Sequence, residues 1–320
     1  MRLLLTGGSG FVGGAFLERV ITISGLSVRA PLRHLPIGDP GGVEFCQVKG
    51  LEPTVSWAEA LDNVDVVVHA AARVHVLDDG AVDPVAAFRE INSEGTLNLA
   101  RQAVAAGVRR FIFISSVKAN GEATALGSPY TVDSPTCPCD PYGISKLEAE
   151  SGLQALSAET GLEVVVIRPP LVYGRGVKAN FLSMIRWVYH GLPLPFGAID
   201  NKRSLVALDN LVDLMVTCID HPAAANRTFF VSDGEDLSTT QLLRRIGFAL
   251  GRPALLVPVP VWMLNAAASI LGRRDISRKI CGSLQVDISA ARELLGWQPK
   301  VSIDEAMRET VADFLESQNR

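Results

Sequence analysis

Tyr142 and Lys146 stand four residues apart, separated by Gly143, Ile144 and Ser145. On a helix that spacing sets a phenol and an ammonium on one face. A free phenol, with a pKa of about 10, is a poor acid or base at neutral pH; an adjacent cation stabilises its anion and draws it toward the working range. Lys146 is placed to supply that cation. A hydroxyl is then needed to hold the oxygen of a reacting substrate, and Ser115-Ser116 close an apolar, β-rich run, at the strand edge where parallel sheets bind ligands. Tyr-x-x-x-Lys alone recurs in many helices, so the reading depends on a second constellation. Thr6-Gly7-Gly8-Ser9-Gly10-Phe11-Val12-Gly13 joins the first strand-like run to the first helical one. Glycines in that context permit a tight turn, close approach of backbone N–H groups to a pyrophosphate, and close helix–strand contact.

The end of the second strand-like run selects between nicotinamide cofactors, because a carboxylate there accepts from the ribose 2′-OH whereas an arginine accommodates a 2′-phosphate. The sequence reads Val28-Arg29-Ala30-Pro31-Leu32-Arg33, with no acid. Arg33, seconded by Arg29, predicts NADP(H) over NAD(H).

These groups need a scaffold. In the N-terminal half, β-rich apolar runs at 2–6, 27–32, 43–48, 65–69, 110–115 and 163–167 alternate with helical spacing at 11–21, 55–61, 85–106 and 142–160, the signature of a parallel sheet with crossover helices. The expected fold is α/β, a Rossmann-type doubly wound parallel sheet over 1–168. The rhythm breaks after Arg168-Pro169-Pro170, and 169–320 is expected to form mainly a smaller, irregular substrate domain. A strand-and-helix unit near 205–219 and a strand at 227–231 are expected to return to the sheet. Further helices are expected at 238–250, 288–295 and 302–316, the last with Ser302 and Glu305 at capping-box spacing.

Composition narrows the class. The chain has 320 residues, 48% hydrophobic and 20% charged, with net charge −4, which excludes a disordered chain or a disulfide scaffold and disfavours nucleic acid as partner. Five scattered cysteines, with only Cys137-Pro138-Cys139 close together, lack zinc-site spacing and fit a reducing cytoplasm. No metal is expected. The short apolar run before Gly7-Gly8 falls short of an export signal. Residues 254–272 form a charge-free stretch followed by Arg273-Arg274. Pro258, Pro260, Asn265 and Ser269 interrupt it, so the reading is a helix buried against the small domain, with a peripheral, partner-facing or interfacial helix as the alternative and a membrane span disfavoured.

With these residues on the page, the chain resembles the extended short-chain dehydrogenases/reductases of the nucleotide-sugar epimerase/dehydratase group along almost its whole length. Thr6–Gly13 resembles the glycine loop, with Gly7, Gly10, Phe11, Val12 and Gly13 at the cofactor. His69-Ala70-Ala71-Ala72 resembles the fourth-strand motif and Asn92 the helix asparagine; both resemblances imply cofactor contact. Ser116, Tyr142 and Lys146 match the catalytic residues. Arg168-Pro169-Pro170-Leu171-Val172-Tyr173-Gly174 and Gly296-Trp297-Gln298-Pro299 match later signatures. Similarity to the UDP-glucose 4-epimerase branch implies that Asn180 approaches the sugar-linked diphosphate and Arg203 pairs with a phosphate, and Lys118 is likewise assigned to the substrate.

Two departures qualify the resemblance. Val117-Lys118 stand where sugar dehydratases carry Asp-Glu, which argues against a 4,6-dehydratase, and Lys49-Gly50-Leu51 replace the acidic residue expected to touch the adenine. The resemblance implies hydride transfer at C4 of a UDP-sugar. Arg33 and the missing acid favour a reductase acting on a UDP-4-keto-6-deoxy-N-acetylhexosamine in surface-polysaccharide synthesis, as does likeness around 115–122 and 176–181. The alternative is a UDP-glucose or UDP-N-acetylglucosamine 4-epimerase with tightly held NAD. A non-catalytic dinucleotide sensor is a third reading, against which the joint presence of Ser116, Tyr142 and Lys146 counts. A homodimer through 85–106 and 142–160 is also implied.

Overall fold

The computed structural model describes residues 1–35, 41–74, 83–272 and 274–318, with the side chains of 274–276 undescribed; Arg273 thus lies outside the described residues. The alternating runs become β1 (Arg2–Thr6), β2 (Ser27–Leu32), β3 (Val43–Gln47), β4 (Val66–His69), β5 (Arg110–Ile114) and β6 (Glu163–Arg168). Later strands are β7 (Leu171–Tyr173), β8 (Arg203–Ala207), β9 (Arg227–Phe230) and β10 (Asp236–Leu237). Among the described residues, one sheet has the order β3-β2-β1-β4-β5-β6-β9, parallel at every pairing. The order reverses beside β1, the switch point where doubly wound sheets bind nucleotides.

Each central strand feeds two cores by its period of two. Leu3, Leu5, Val66, Val68, Ile112, Ile114, Val165 and Ile167 face one side, where Phe16 and Val20 of α1 (Phe11–Val20) pack. Leu4, Val67, Phe111, Phe113, Val164 and Val166 face the other. That second side is covered by α3 (Gly95–Ala105) and α4 (Pro141–Thr160), with α2 (Pro84–Phe88) packed on α4. Leu99, Ala100, Ala103, Ala149 and Leu153 carry the α3 and α4 contacts.

Beyond β6 the chain forms α5 (Ala179–Tyr189), α6 (Leu208–Thr217), α7 (Thr239–Ala249), α8 (Val261–Ile270), α9 (Arg274–Cys281), α10 (Ser289–Leu295) and α11 (Ile303–Gln318). A second sheet has the order β10-β8-β7. Of the two strands expected to return, β9 joins the large sheet and β8 does not; its hydrogen bonds go to β7 and β10. The α6 helix nevertheless covers the large sheet with Leu211, Leu214 and Met215. Arg110, buried in β5, ties that excursion down: Nη1 donates to the carbonyls of Cys218 (2.8 Å) and His221 (3.0 Å), and Nε to Glu163 (2.8 Å).

Three other expectations fail for identifiable reasons. Residues 55–61 form turns rather than a helix. Asn98 and Gln102 of α3 both donate to Val55 O, at 2.8 and 2.9 Å, and Gln102 Oε1 accepts from Trp57 N at 2.7 Å, so side chains from α3 hold the crossover open. The single helix expected over 85–106 is interrupted by a π-helical turn, Arg89–Glu94. The stretch at 254–272 contains α8, whose residues are all at least partly exposed, instead of a buried helix. No described helix is long and apolar enough to cross a membrane.

Candidate active site

The glycine loop is a backbone-to-backbone fit. Gly7 has φ of 77°, and a Cβ there would lie 2.7 Å from Ala71 N and 2.8 Å from Ala70 C. A Cβ on Gly13 would lie 2.1 Å from Gly7 O, so α1 can sit this close to the loop only with glycine. Gly10 N donates to Gly7 O at 2.8 Å and leads into α1 as its cap, with no side-chain cap bond and no acidic residue in the first turn. The first-turn N–H groups and the positive end of the helix dipole therefore suit a pyrophosphate. Phe11 and Val12 pack on the core behind them, and Ala70, Ala71 and Ala72 follow β4 half-buried alongside. The chain fits a dinucleotide.

The expected preference for a 2′-phosphate loses support. Arg29 is buried, with Nε and Nη2 on Glu44 at 2.9 and 2.6 Å and Nη1 on the carbonyls of Glu59, Ala60 and Asp62 at 2.9, 3.0 and 2.9 Å. Its charge and donors are taken up by the fold. Arg33 is exposed just past β2.

Ser116 follows β5, half-buried, and its Oγ accepts from Lys118 N at 3.2 Å. Neighbouring Ser115 is buried and donates to Glu150, which distinguishes the two serines. Asp140 caps α4, its Oδ1 accepting from Gly143 N at 2.6 Å, so that Tyr142 and Lys146 occupy the first two turns. A Cβ on Gly143 would lie 2.6 Å from Lys118 O, so this glycine lets α4 close onto the turn after Ser116. Lys146 Nζ donates to Ile114 O at 2.8 Å and lies 4.4 Å from the Phe113 ring centroid and 5.9 Å from that of Tyr142. The structure thus gathers Ser116, Tyr142 and Lys146 at the ends of β5 and α4.

The electrostatics differ from the sequence expectation. Burial pushes the Tyr142 phenol above its ordinary range, with the Asp140 carboxylate adding to it. Burial also pushes Lys146 down to about 7, opposed by Glu150. In this arrangement desolvation outweighs the cation's pull on the phenol. His69 is pushed down to about 3 by burial, with the Lys146 charge adding, so its ring is neutral. Its nitrogens contact Thr6 Oγ1 at 2.7 Å and Thr96 Oγ1 at 3.0 Å; because Thr96 donates to Asn92 O at 2.7 Å, the network assigns the proton to Nε2.

Asn92 sits inside the π-turn, its amide bonded to Arg73 O and N (3.0 and 2.8 Å) and to Ser145 Oγ (3.1 Å), which donates to Tyr142 O at 2.8 Å. Its hydrogen bonds steady the loop after β4 and the start of α4. Lys118, assigned to substrate, pairs with Asp140 and with Glu122 at 3.7 Å. Asn180 is exposed in the first turn of α5, and its side chain makes no hydrogen bond among the described residues. Arg203 donates through Nη1 to Lys279 O at 2.9 Å and Gly282 O at 3.1 Å. No carboxylate pairs with it among the described residues, and burial holds it below the usual guanidinium range.

Sequence reasoning missed a buried cluster behind Lys146. Glu150 forms an ion pair with Arg168, whose Nη1 donates to Asn120 Oδ1 at 2.9 Å. The available signal was Glu150 at four residues from Lys146, the same helical spacing again.

A doubly wound parallel sheet with a glycine cradle at its switch point defines an enzyme scaffold of the Rossmann class. More particularly, residues 3–231 match the NAD dependent epimerase/dehydratase family, and the chain belongs to it. It is 47% identical over 319 residues to a UDP-glucose 4-epimerase of Vibrio cholerae, covering 99% of this chain and 97% of that protein. A structure of the Thermotoga maritima UDP-glucose 4-epimerase with UDP-glucose superposes with a TM-score of 0.76 at 24% identity, covering 99% of this chain and all (100%) of that one. A Bacillus cereus UDP-glucuronic acid 4-epimerase in complex with NAD gives 0.80 at 18%, with 100% of both chains covered.

Proposed function

We propose that this protein is a UDP-hexose 4-epimerase working with NAD. The observation that carries the reading is the 47% identity to the Vibrio cholerae UDP-glucose 4-epimerase along nearly the full length of both chains. Gly7, Gly10 and Gly13 would hold the cofactor's pyrophosphate, with Ala70, Ala71 and Ala72 alongside. Bound there, NAD supplies a hydride acceptor and, once reduced, a hydride donor for C4 of the sugar. Tyr142 removes the proton from the C4 hydroxyl and returns it after the 4-keto sugar has turned its other face. Ser116 Oγ hydrogen-bonds the same oxygen, and Lys146 in its charged form favours the phenolate needed for the first step. Arg203 offers free guanidinium donors to the diphosphate, with Asn180 and Lys118 toward the substrate.

A reductase would use the same three side chains. The expected tilt toward reduction drew on Arg33 and the missing acid, with Arg29 in support; Arg29's donors are occupied by Glu44 and three carbonyls, and the 47% identity to an epimerase makes that the better-supported reading. Pairing of two copies through α3 and α4 is part of the proposal, checked by light scattering of the purified protein.

The test is incubation with UDP-galactose, following UDP-glucose by chromatography, with the cofactor released on denaturation identified by mass. Interconversion without net cofactor consumption, and NAD in the released fraction, is the expected result. Tyr142→Phe should cut turnover about 100-fold or more while cofactor binding persists. Absence of interconversion of UDP-galactose and of UDP-N-acetylgalactosamine, with NADPH oxidised by a UDP-4-keto sugar, overturns the epimerase in favour of the reductase.

A further inference from the structure

The α8 helix exposes mostly apolar surface. Trp262 is 70% exposed and Ile270 86%, Leu271 just past the helix is 71% exposed, and no residue of α8 is buried. Its two polar side chains have partners within the hairpin: Asn265, itself exposed, accepts at Oδ1 from Ser277 Oγ at 2.6 Å, and Ser269 Oγ donates to Asn265 O at 2.8 Å. Leu255 and Val257, in the approach to α8, are also exposed.

This surface is held firmly at both ends. Before α8, Leu194 N donates to Leu255 O, and Val257 N donates to Leu194 O, both at 2.8 Å. After α9, Arg203 grips the carbonyls of Lys279 and Gly282. Charge then indicates the occupant. Between 252 and 279 the sequence carries five basic residues and one acidic one, in a chain of net charge −4. Lys279 and Arg278 are exposed on α9, which packs against α8.

We propose that the α8–α9 hairpin docks the protein on an anionic lipid surface, with α8 lying in the headgroup–acyl boundary and the exposed Arg278 and Lys279 meeting lipid phosphates. Ten residues make a helix of roughly 15 Å, half the hydrocarbon thickness, so it lies in the interface and does not span. A protein partner or second copy would leave a polar rim around an apolar stripe, whereas α8 carries no charge and Asn265 is its one exposed polar residue. Trp262, an exposed amphipathic ring in the first turn of α8, suits the interfacial zone.

The test is flotation of the full chain with vesicles of phosphatidylethanolamine and phosphatidylglycerol, beside vesicles of phosphatidylcholine alone. The expected result is flotation with the anionic vesicles, weakened by high salt, and a blue shift of tryptophan emission that Trp262→Phe removes. Met263→Glu with Ile270→Glu should lower the bound fraction about fivefold or more, and Lys279→Glu should lower it on anionic vesicles only. Unchanged melting temperature and cofactor binding establish that these variants fold. Failure of the parent to float, or equal flotation of parent and double variant, overturns the proposal. So does a parent that self-associates through this face, with the double variant monomeric and neither floating.

Discussion

Lys146 enters the fold against its own hydration. Its ammonium is buried, with Ile114 O as acceptor and the Phe113 ring beneath, and it is pushed down to about 7. In the unfolded chain it titrates near ~10.4, so between these limits the unfolded state binds more protons and stability contributed at this site rises with pH. Burial of the lysine opposes folding most below about pH 7, and the opposition fades as pH climbs toward the unfolded value. Lys146→Met should therefore melt above the parent at pH 6 by a margin that has narrowed at pH 9 and closes only near ~10.4, as thermal denaturation across pH would read; a margin independent of pH would contradict the shift. The Tyr142–Lys146 pair and the choice of Ser116 were legible from spacing alone. The upward shift of Tyr142 was not, because it depends on how far other parts of the chain, Phe88 of α2 among them, cover the phenol, and spacing along one helix carries no record of that.

At the scale of elements, two glycines of α1 have opposite prospects. Gly13→Ala would set a methyl 2.1 Å from Gly7 O, whereas on Gly14 the nearest atom, Gly8 O, is 3.4 Å away. Gly13→Ala should abolish cofactor binding and destabilise the fold by about 2 kcal/mol or more, while Gly14→Ala should be neutral or gain up to ~1 kcal/mol of helix propensity. Cofactor titration and urea denaturation of both variants check the contrast; equal effects would refute it. Strands β1 and β2 are read to the residue because both are continuous apolar runs between turn signals. One failure arises where another element overrides local pattern: α3 side chains hold the backbone at Val55 and Trp57, and 58–61 turn instead of winding into a helix. A capping box at Ser238 and Gln241 also passed unread, although its residues are adjacent in the sequence to a well-read helix.

Across the whole molecule, the cluster of Ser115, Glu150, Arg168 and Asn120 joins β5, α4 and the end of β6, where the chain leaves the large sheet. Arg168→Met leaves a buried carboxylate without its partner and should cost about 3–5 kcal/mol, most of which a second change, Glu150→Met, should restore. Chemical denaturation of the single and double variants measures this, and additive losses would show that the pair is not coupled. The two-sheet plan was only partly legible, since β8 and β9 read alike as short apolar runs and the partner each selects is set by chain far away in sequence. Arg110 carries that distance into the history of each molecule. Its guanidinium is sealed into β5, yet its acceptors, the carbonyls of Cys218 and His221, lie more than a hundred residues downstream. Until that later segment docks, Glu163 of β6 is the one acceptor of the three within the chain through β6, and two of the guanidinium's acceptors are missing. Completion of the large sheet thus depends on the segment that runs through β9, and a sheet lacking it keeps an open edge at β6 that is prone to aggregation.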